Sequence, residues 1–144
     1  MKIINEMSLS FPSKSCNEAF ARSAVSAFIM NLDPTINELS DIKTAVSEAV
    51  TNCIVHGYRR EDGTIYIKGK ITGDNKVIIK IRDKGCGIAD VKKAMEPLFT
   101  TAPEEERAGL GFAVMQSFCD KVKVKSEPEK GTIVTLEKII AKNE

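Results

Sequence analysis

The sequence has a single histidine, His56, and four cysteines, Cys16, Cys53, Cys86 and Cys119, scattered without a C-x-x-C pair. That scarcity argues against a zinc centre and against a disulfide framework. It also lacks an excess of either charge: 21 Lys and Arg stand against 20 Asp and Glu, a net +1, with the two signs interspersed along the chain. This advertises no basic face for nucleic acid and no polybasic segment for a membrane surface. Long apolar runs are missing as well. Met1 to Glu6 do not suit a signal peptide, and nothing later approaches the ~20 apolar residues of a membrane helix. A cytoplasmic protein is therefore expected, with partners chosen by shape and local charge. What is present is material for a core, 42% hydrophobic residues in 144, which predicts one compact domain over residues 1–144.

The chain is organised around Ile81-Arg82-Asp83-Lys84-Gly85-Cys86-Gly87-Ile88, an apolar strand that runs into an acid and then two glycines. Such a corner reads either as a tight turn or as a site where a flat ligand lies against bare backbone beside a carboxylate. Strand parity bears on the choice. Val77, Ile79 and Ile81 share one face, and period two puts Asp83 on it. An inward carboxylate without a partner costs several kcal/mol or shifts its pKa, so a donor must meet it. A ligand amino group is one candidate donor.

Before this corner, Met7, Leu9 and Phe11 alternate as a half-buried edge strand, and Ser15-Cys16-Asn17-Glu18 reads as a capping box for a first helix with Phe20, Ala24, Ala27 and Phe28 as its stripe. Arg22 lies off that stripe, either a solvated charge or a partner contact. Thr35-x-x-Glu38 starts a second helix that runs to His56-Gly57, with Leu39, Ile42, Val46, Ala49, Val50 and Cys53 on its core face. Glu48, Asn52 and His56, four apart, form a polar row beside that face, lining a cleft or simply wetted by solvent. His56 itself suits a helix end better than a catalytic role. Ile65, Ile67 and Ile71 then alternate in a strand, with a hairpin turn at Gly73-Asp74-Asn75-Lys76.

Residues 89–108 break periodicity and read as a loop, either a surface connection or a lid at about 96–108. Gly109-Leu110-Gly111 opens a third helix, Phe112 to Cys119, as a phosphate-binding helix start or as close packing. A last hairpin follows, with Thr132, Val134 and Leu136 facing inward. The expected architecture is an α/β (α+β) two-layer sandwich, a mixed, mainly antiparallel sheet with helices on one face.

Glu48-Ala49-Val50-Thr51-Asn52, Asp83-Lys84-Gly85-Cys86-Gly87, Phe99-Thr100-Thr101, Gly109-Leu110-Gly111 and Gly131-Thr132 occur in the order of the boxes of the ATPase superfamily of gyrase, the ninety-kilodalton heat-shock chaperone, histidine kinases and MutL. Over about Leu39 to Leu136 the sequence resembles this superfamily, and the whole chain is similar to its small serine-kinase branch, the sporulation anti-sigma factors. The resemblance implies a histidine-kinase-like ATPase (Bergerat) fold that binds ATP or ADP with Mg²⁺. It implies that Asn52 holds the metal, that Asp83 accepts from the adenine amino group with Thr132 assisting, and that Gly85 and Gly87 admit the purine. Gly109 and Gly111 would cradle phosphates under a lid that includes Thr100, Thr101 and Arg107. Glu48, one turn from Asn52, would orient the attacking hydroxyl, and Arg107 would neutralise γ-phosphate charge.

There is no Walker A lysine motif and no second, histidine-bearing domain, so the expected phosphate acceptor is another protein or water. The resemblance implies a homodimer that sequesters a sigma factor of the sigma F type in its ATP state and phosphorylates a serine on an anti-anti-sigma partner, with no direct nucleic-acid or membrane contact. Two other readings stay open: a nucleotide-gated binding module with vestigial catalysis, and a small ATPase.

Overall fold

In the computed structural model, which describes residues 2–91 and 103–141, five strands form one sheet and three helices pack on it. The elements are β1 (Ile3–Pro12), α1 (Asn17–Ile29), α2 (Ile36–Asn52), β2 (Thr64–Thr72), β3 (Lys76–Asp83), α3 (Pro103–Phe118), β4 (Lys121–Glu127) and β5 (Gly131–Ile139). The strand order is β1-β2-β3-β5-β4, and every pair is antiparallel. The two-layer α/β sandwich is as the sequence predicts, with a parallel pair absent among the described strands.

Period two builds the inner face. Ile65, Ile67 and Ile71 of β2, Val77, Ile79 and Ile81 of β3, and Val134 and Leu136 of β5 are all buried. Gly69 keeps the β2 row open for the Phe28 ring, which a Cβ there would meet at 2.8 Å. β1 is an edge strand, and its Met7 and Leu9 are only half-buried.

α2 begins as read: the Thr35 hydroxyl accepts from the Glu38 N–H at 3.1 Å and the Glu38 carboxylate accepts from the Thr35 N–H at 2.9 Å. Its face of Ile42, Val46, Ala49, Val50 and Cys53 is buried, each large aliphatic side chain contributing about 1.5–3 kcal/mol. Lys138 of β5 fastens the layers, donating to the Phe118 carbonyl that ends α3 at 2.8 Å and to Asp41 of α2 at 3.4 Å.

Three expectations are corrected. The Ser15 side chain does not cap α1; the turn entering the helix brings the Ser15 carbonyl to the Glu18 N–H instead. The buried stripe of α1 is Ala21, Val25 and Ile29, one residue round from the predicted one, and Phe20 is 51% exposed with its ring edge-on to Phe11 at 5.8 Å. Finally, α3 starts at Pro103 rather than after Gly111. A proline followed by three acids in sequence is a favourable helix start, so Gly109-Leu110-Gly111 falls inside the helix. Of the 96–108 segment expected as a lid, residues 96–102 lie outside the described residues.

Candidate functional site

Asp83 ends β3 directly opposite Thr132 of β5, and it is 4% exposed. It is walled by missing side chains. A Cβ at Gly57 would sit 2.7 Å from the Asp83 carboxylate, and one at Gly131 would sit 2.1 Å from the Asp83 carbonyl oxygen. Burial pushes the Asp83 carboxyl above the usual carboxylate range, opposed by the Gly85 N–H, which donates to Oδ1 at 2.9 Å, the Cys53 thiol and the Thr132 N–H. Burial, with Asp83 beside it, pushes the Cys53 thiol well up in turn. Asp83 is thus a partly satisfied carboxylate with acceptor capacity to spare.

The loop after Asp83 is sewn to the end of α2. The Gly57 carbonyl accepts from the Cys86 N–H at 2.8 Å, and the Cys86 thiol donates to the His56 carbonyl at 3.1 Å. Approach is so close that a Cβ on Gly85 would lie 2.0 Å from the Gly57 oxygen. Tyr58 adds a clamp: its hydroxyl accepts from the Lys84 N–H at 2.7 Å and donates to the Thr64 carbonyl. Gly87, at φ +73°, packs on the β4–β5 turn, where a Cβ would come 2.1 Å from the Glu127 carbonyl. From β4, the Ser126 hydroxyl accepts from the Ile88 N–H at 2.7 Å and lies 2.8 Å from the Thr132 hydroxyl of β5.

The second cluster lies one turn back along α2. Glu48 and Asn52, both half-buried, face Gly111 of α3: a Cβ there would meet Asn52 Nδ2 at 3.2 Å, Glu48 Oε2 at 3.3 Å and Asn52 Oδ1 at 3.4 Å. The Asn52 Nδ2 is buried and has no hydrogen-bond partner among the described residues. A buried amide in that state, beside a glycine of a neighbouring helix, calls for an explanation. Between the clusters, Cys53–Gly57 forms a π turn closed by the Tyr58 N–H on the Cys53 carbonyl at 2.8 Å. The wider winding breaks the 100° step that would have kept His56 in line with Glu48 and Asn52.

A profile described as a histidine kinase-like ATPase domain matches residues 11–138. Full-length likeness is closer still. The chain is 59% identical over 140 residues to the anti-sigma F factor of Thermoanaerobacter sp. (strain X514), covering 97% of both chains, and 55% identical over 141 residues to that of Halalkalibacterium halodurans, covering 96% and 95%. The chain belongs to the anti-sigma F factor family of histidine kinase-like ATPase domains. Among solved structures, the RsbU and RsbW domains of a Mycobacterium tuberculosis protein share its fold with a TM-score of 0.70 at 17% identity, over 96% of this chain and 33% of that one. The histidine kinase domain of the blue-light activated histidine kinase of Erythrobacter litoralis does so at 0.57 and 17%, over 85% and 60%.

Within this family member, the structure brings Glu48, Asn52 and Gly111 together, and separately Asp83, Gly85 and Thr132. Arg107 and Gly109 fall within α3, while Thr100 and Thr101 lie outside the described residues. Sequence reasoning missed Gly57 as a wall of the Asp83 site, having read it as a helix cap, and gave no role to Cys53 beyond the core, or to Tyr58 and Ser126. No spacing in the sequence signals Gly57, because its place beside Asp83 depends on the π turn that carries it there.

Proposed function

We propose that the chain binds ATP with Mg²⁺ across these two clusters and transfers the γ-phosphoryl group to a serine hydroxyl of an anti-anti-sigma protein. In the ATP state, as a homodimer in the cytoplasm, it binds and inhibits a sporulation sigma factor of the sigma F type. The observation that carries this reading is the meeting of Glu48 and Asn52 with Gly111, beside an amide that has no partner among the described residues. The names of the 55–59% identical relatives support the sigma partner.

In this reading Asp83 accepts the exocyclic amine of adenine, with Thr132 and Ser126 completing a polar edge and Gly85 and Gly87 setting the backbone that the purine lies near. Asn52 fits a magnesium ion, since its amide oxygen is a hard neutral donor and the ion needs few protein ligands beside phosphates and water. When bound, that ion neutralises charge on the phosphates. Glu48, across from Gly111, holds the incoming serine hydroxyl and takes its proton. In this reading Arg107 counters charge on the transferred group, and Gly109 and Gly111 of α3 belong to the wall the phosphates approach.

Labelled ATP incubated with the chain and its candidate partners tests the proposal. Label on a partner serine is the expected result. Phosphate release without protein labelling would replace it with a small ATPase, and nucleotide binding without turnover would replace it with a nucleotide-gated binding module.

A further inference from the structure

Charges interspersed along the sequence are sorted in space by the sheet. The helices cover one face; the other is bare among the described residues, and strand register puts cations there in ranks. Period two directs Lys121, Lys123 and Lys125 of β4 to this outer face. Pairing through β5 sets Lys123 in line with Thr135 and then Lys80 of β3, which lies directly opposite Lys68 of β2. The next rank runs from Lys125 through Ile133 to Arg82 and Tyr66.

Five of these cations, Lys68, Lys80, Arg82, Lys123 and Lys125, are exposed and have no acidic cross-strand neighbour. None forms an ion pair among the described residues. Acids keep to the margin: Glu6 faces Lys70, Glu137 faces Lys121, and Glu127 ends β4. The Lys68–Lys80 pair sets like charges face to face, an arrangement that weakens a sheet.

We propose that this outer sheet face docks the phosphate backbone of nucleic acid, independently of the nucleotide site. Along β4 the lysines repeat every two residues, about 6.6–6.8 Å, and β3 presents a second file about 9–10 Å away across β5. A long anion with regularly spaced charge complements such files. The centre of the face is Lys, Arg and Thr with few apolar anchors, unlike the core of a protein interface. The aromatic ring in these ranks, Tyr66, is already covered by the Lys84 ammonium at 4.9 Å. A second copy would bring like charge onto like. The contacts carry no base-reading groups, so binding is sequence-independent and steep in salt.

The test is anisotropy of a short labelled DNA duplex of arbitrary sequence titrated with the full chain over a salt series. Five phosphate contacts give a slope of log K against log salt of about −4 to −5. Lys68→Gln with Lys80→Gln and Lys123→Gln should weaken binding at low salt at least roughly tenfold and flatten the slope to about −2. Arg82→Gln with Lys125→Gln, in the neighbouring rank, should cause a loss of its own, which guards against a misfolded triple variant. Lys14→Gln with Lys43→Gln, off this face, should leave the slope unchanged. A flat slope in the parent, or equal loss in that last variant, overturns the proposal. So does uptake by phosphatidylserine vesicles without duplex binding, or a change of oligomeric state in the triple variant seen by sedimentation.

Discussion

Replacing Asp83 by asparagine should separate what this carboxylate does for the fold from what it does for the ligand, because the two effects have opposite signs. In the fold, burial raises the carboxyl pKa. Above the ordinary carboxyl pKa the unfolded chain has released its proton while the folded chain still holds it, so ionisation favours unfolding. The Asp83 contribution is therefore fully stabilising below the unfolded pKa and is lost as pH rises through the raised folded value. The Asp83→Asn variant has no such contribution, and its amide keeps an oxygen for the Gly85 N–H that now donates at 2.9 Å. Its stability relative to the parent should climb from the acid side of the carboxyl titration to neutrality, where it should equal or exceed the parent. For the ligand, loss of an ionised acceptor costs about 1.5–3 kcal/mol, or about 10- to 150-fold in Kd for ATP, with the preference for ATP over GTP eroded. Urea unfolding across that pH range and calorimetric titration with both nucleotides measure the two sides. An unchanged ATP preference, or a variant less stable than the parent at neutral pH, would refute the reasoning.

Glu48→Gln should keep ATP affinity and lower phosphoryl transfer by about 10²–10⁴-fold, the range for a positioned base; undiminished transfer in a rapid-quench assay removes Glu48 from the mechanism. Gly111→Ala should gain about 0.5–1 kcal/mol from helix propensity, offset by crowding at 3.2–3.4 Å against Asn52 and Glu48. Its unfolding curve should barely move while transfer falls severalfold, and equal transfer would mean the bare face is only packing. Gly85→Ala, whose Cβ would lie 2.0 Å from the Gly57 oxygen, should destabilise by roughly 2–4 kcal/mol, and a near-native urea midpoint would show that the loop gives way easily. Among the thiols, Cys16 is exposed, Cys53 is buried with a raised pKa, and burial pushes Cys119 up to about 11. Maleimide near neutral pH should therefore label Cys16 first, with comparable labelling of Cys53 or Cys119 as the contrary result.

Features governed by a single period were open to reading from the chain. Inward Asp83 and Thr132 follow from strand alternation, the start of α2 from Thr35 and Glu38, and the Glu48–Asn52 pair from one helical turn; the ordered boxes then supplied the superfamily. What escaped depended on neighbours. The buried stripe of α1 runs through Ala21, Val25 and Ile29, while Phe20, an apolar ring that suggests core, ends up at the margin against Phe11. The start of α3 hid because two glycines weigh against a helix that tertiary packing nevertheless sustains. Gly57 as a wall of the Asp83 site required knowing that α2 loosens its winding, which no pattern at 100° contains. The cationic face needed the register between strands, since Lys68 and Lys80 lie on different strands and become adjacent only once β2 and β3 pair.

The π turn from Cys53 to Gly57 fixes the spacing of the two clusters by covalent means. Asn52 stands at one end of it and Gly57, on the Asp83 carboxylate, at the other. The interval from Asn52 to Gly57 is therefore a ruler of five residues, held by its own wide hydrogen bond. On the proposed nucleotide reading this interval gauges the ligand, so side-chain changes along it are tolerated but a change in its count is not. Deleting one residue there would let the turn close into ordinary α-helix, and the two ends of the site would then be rotated out of a common reach.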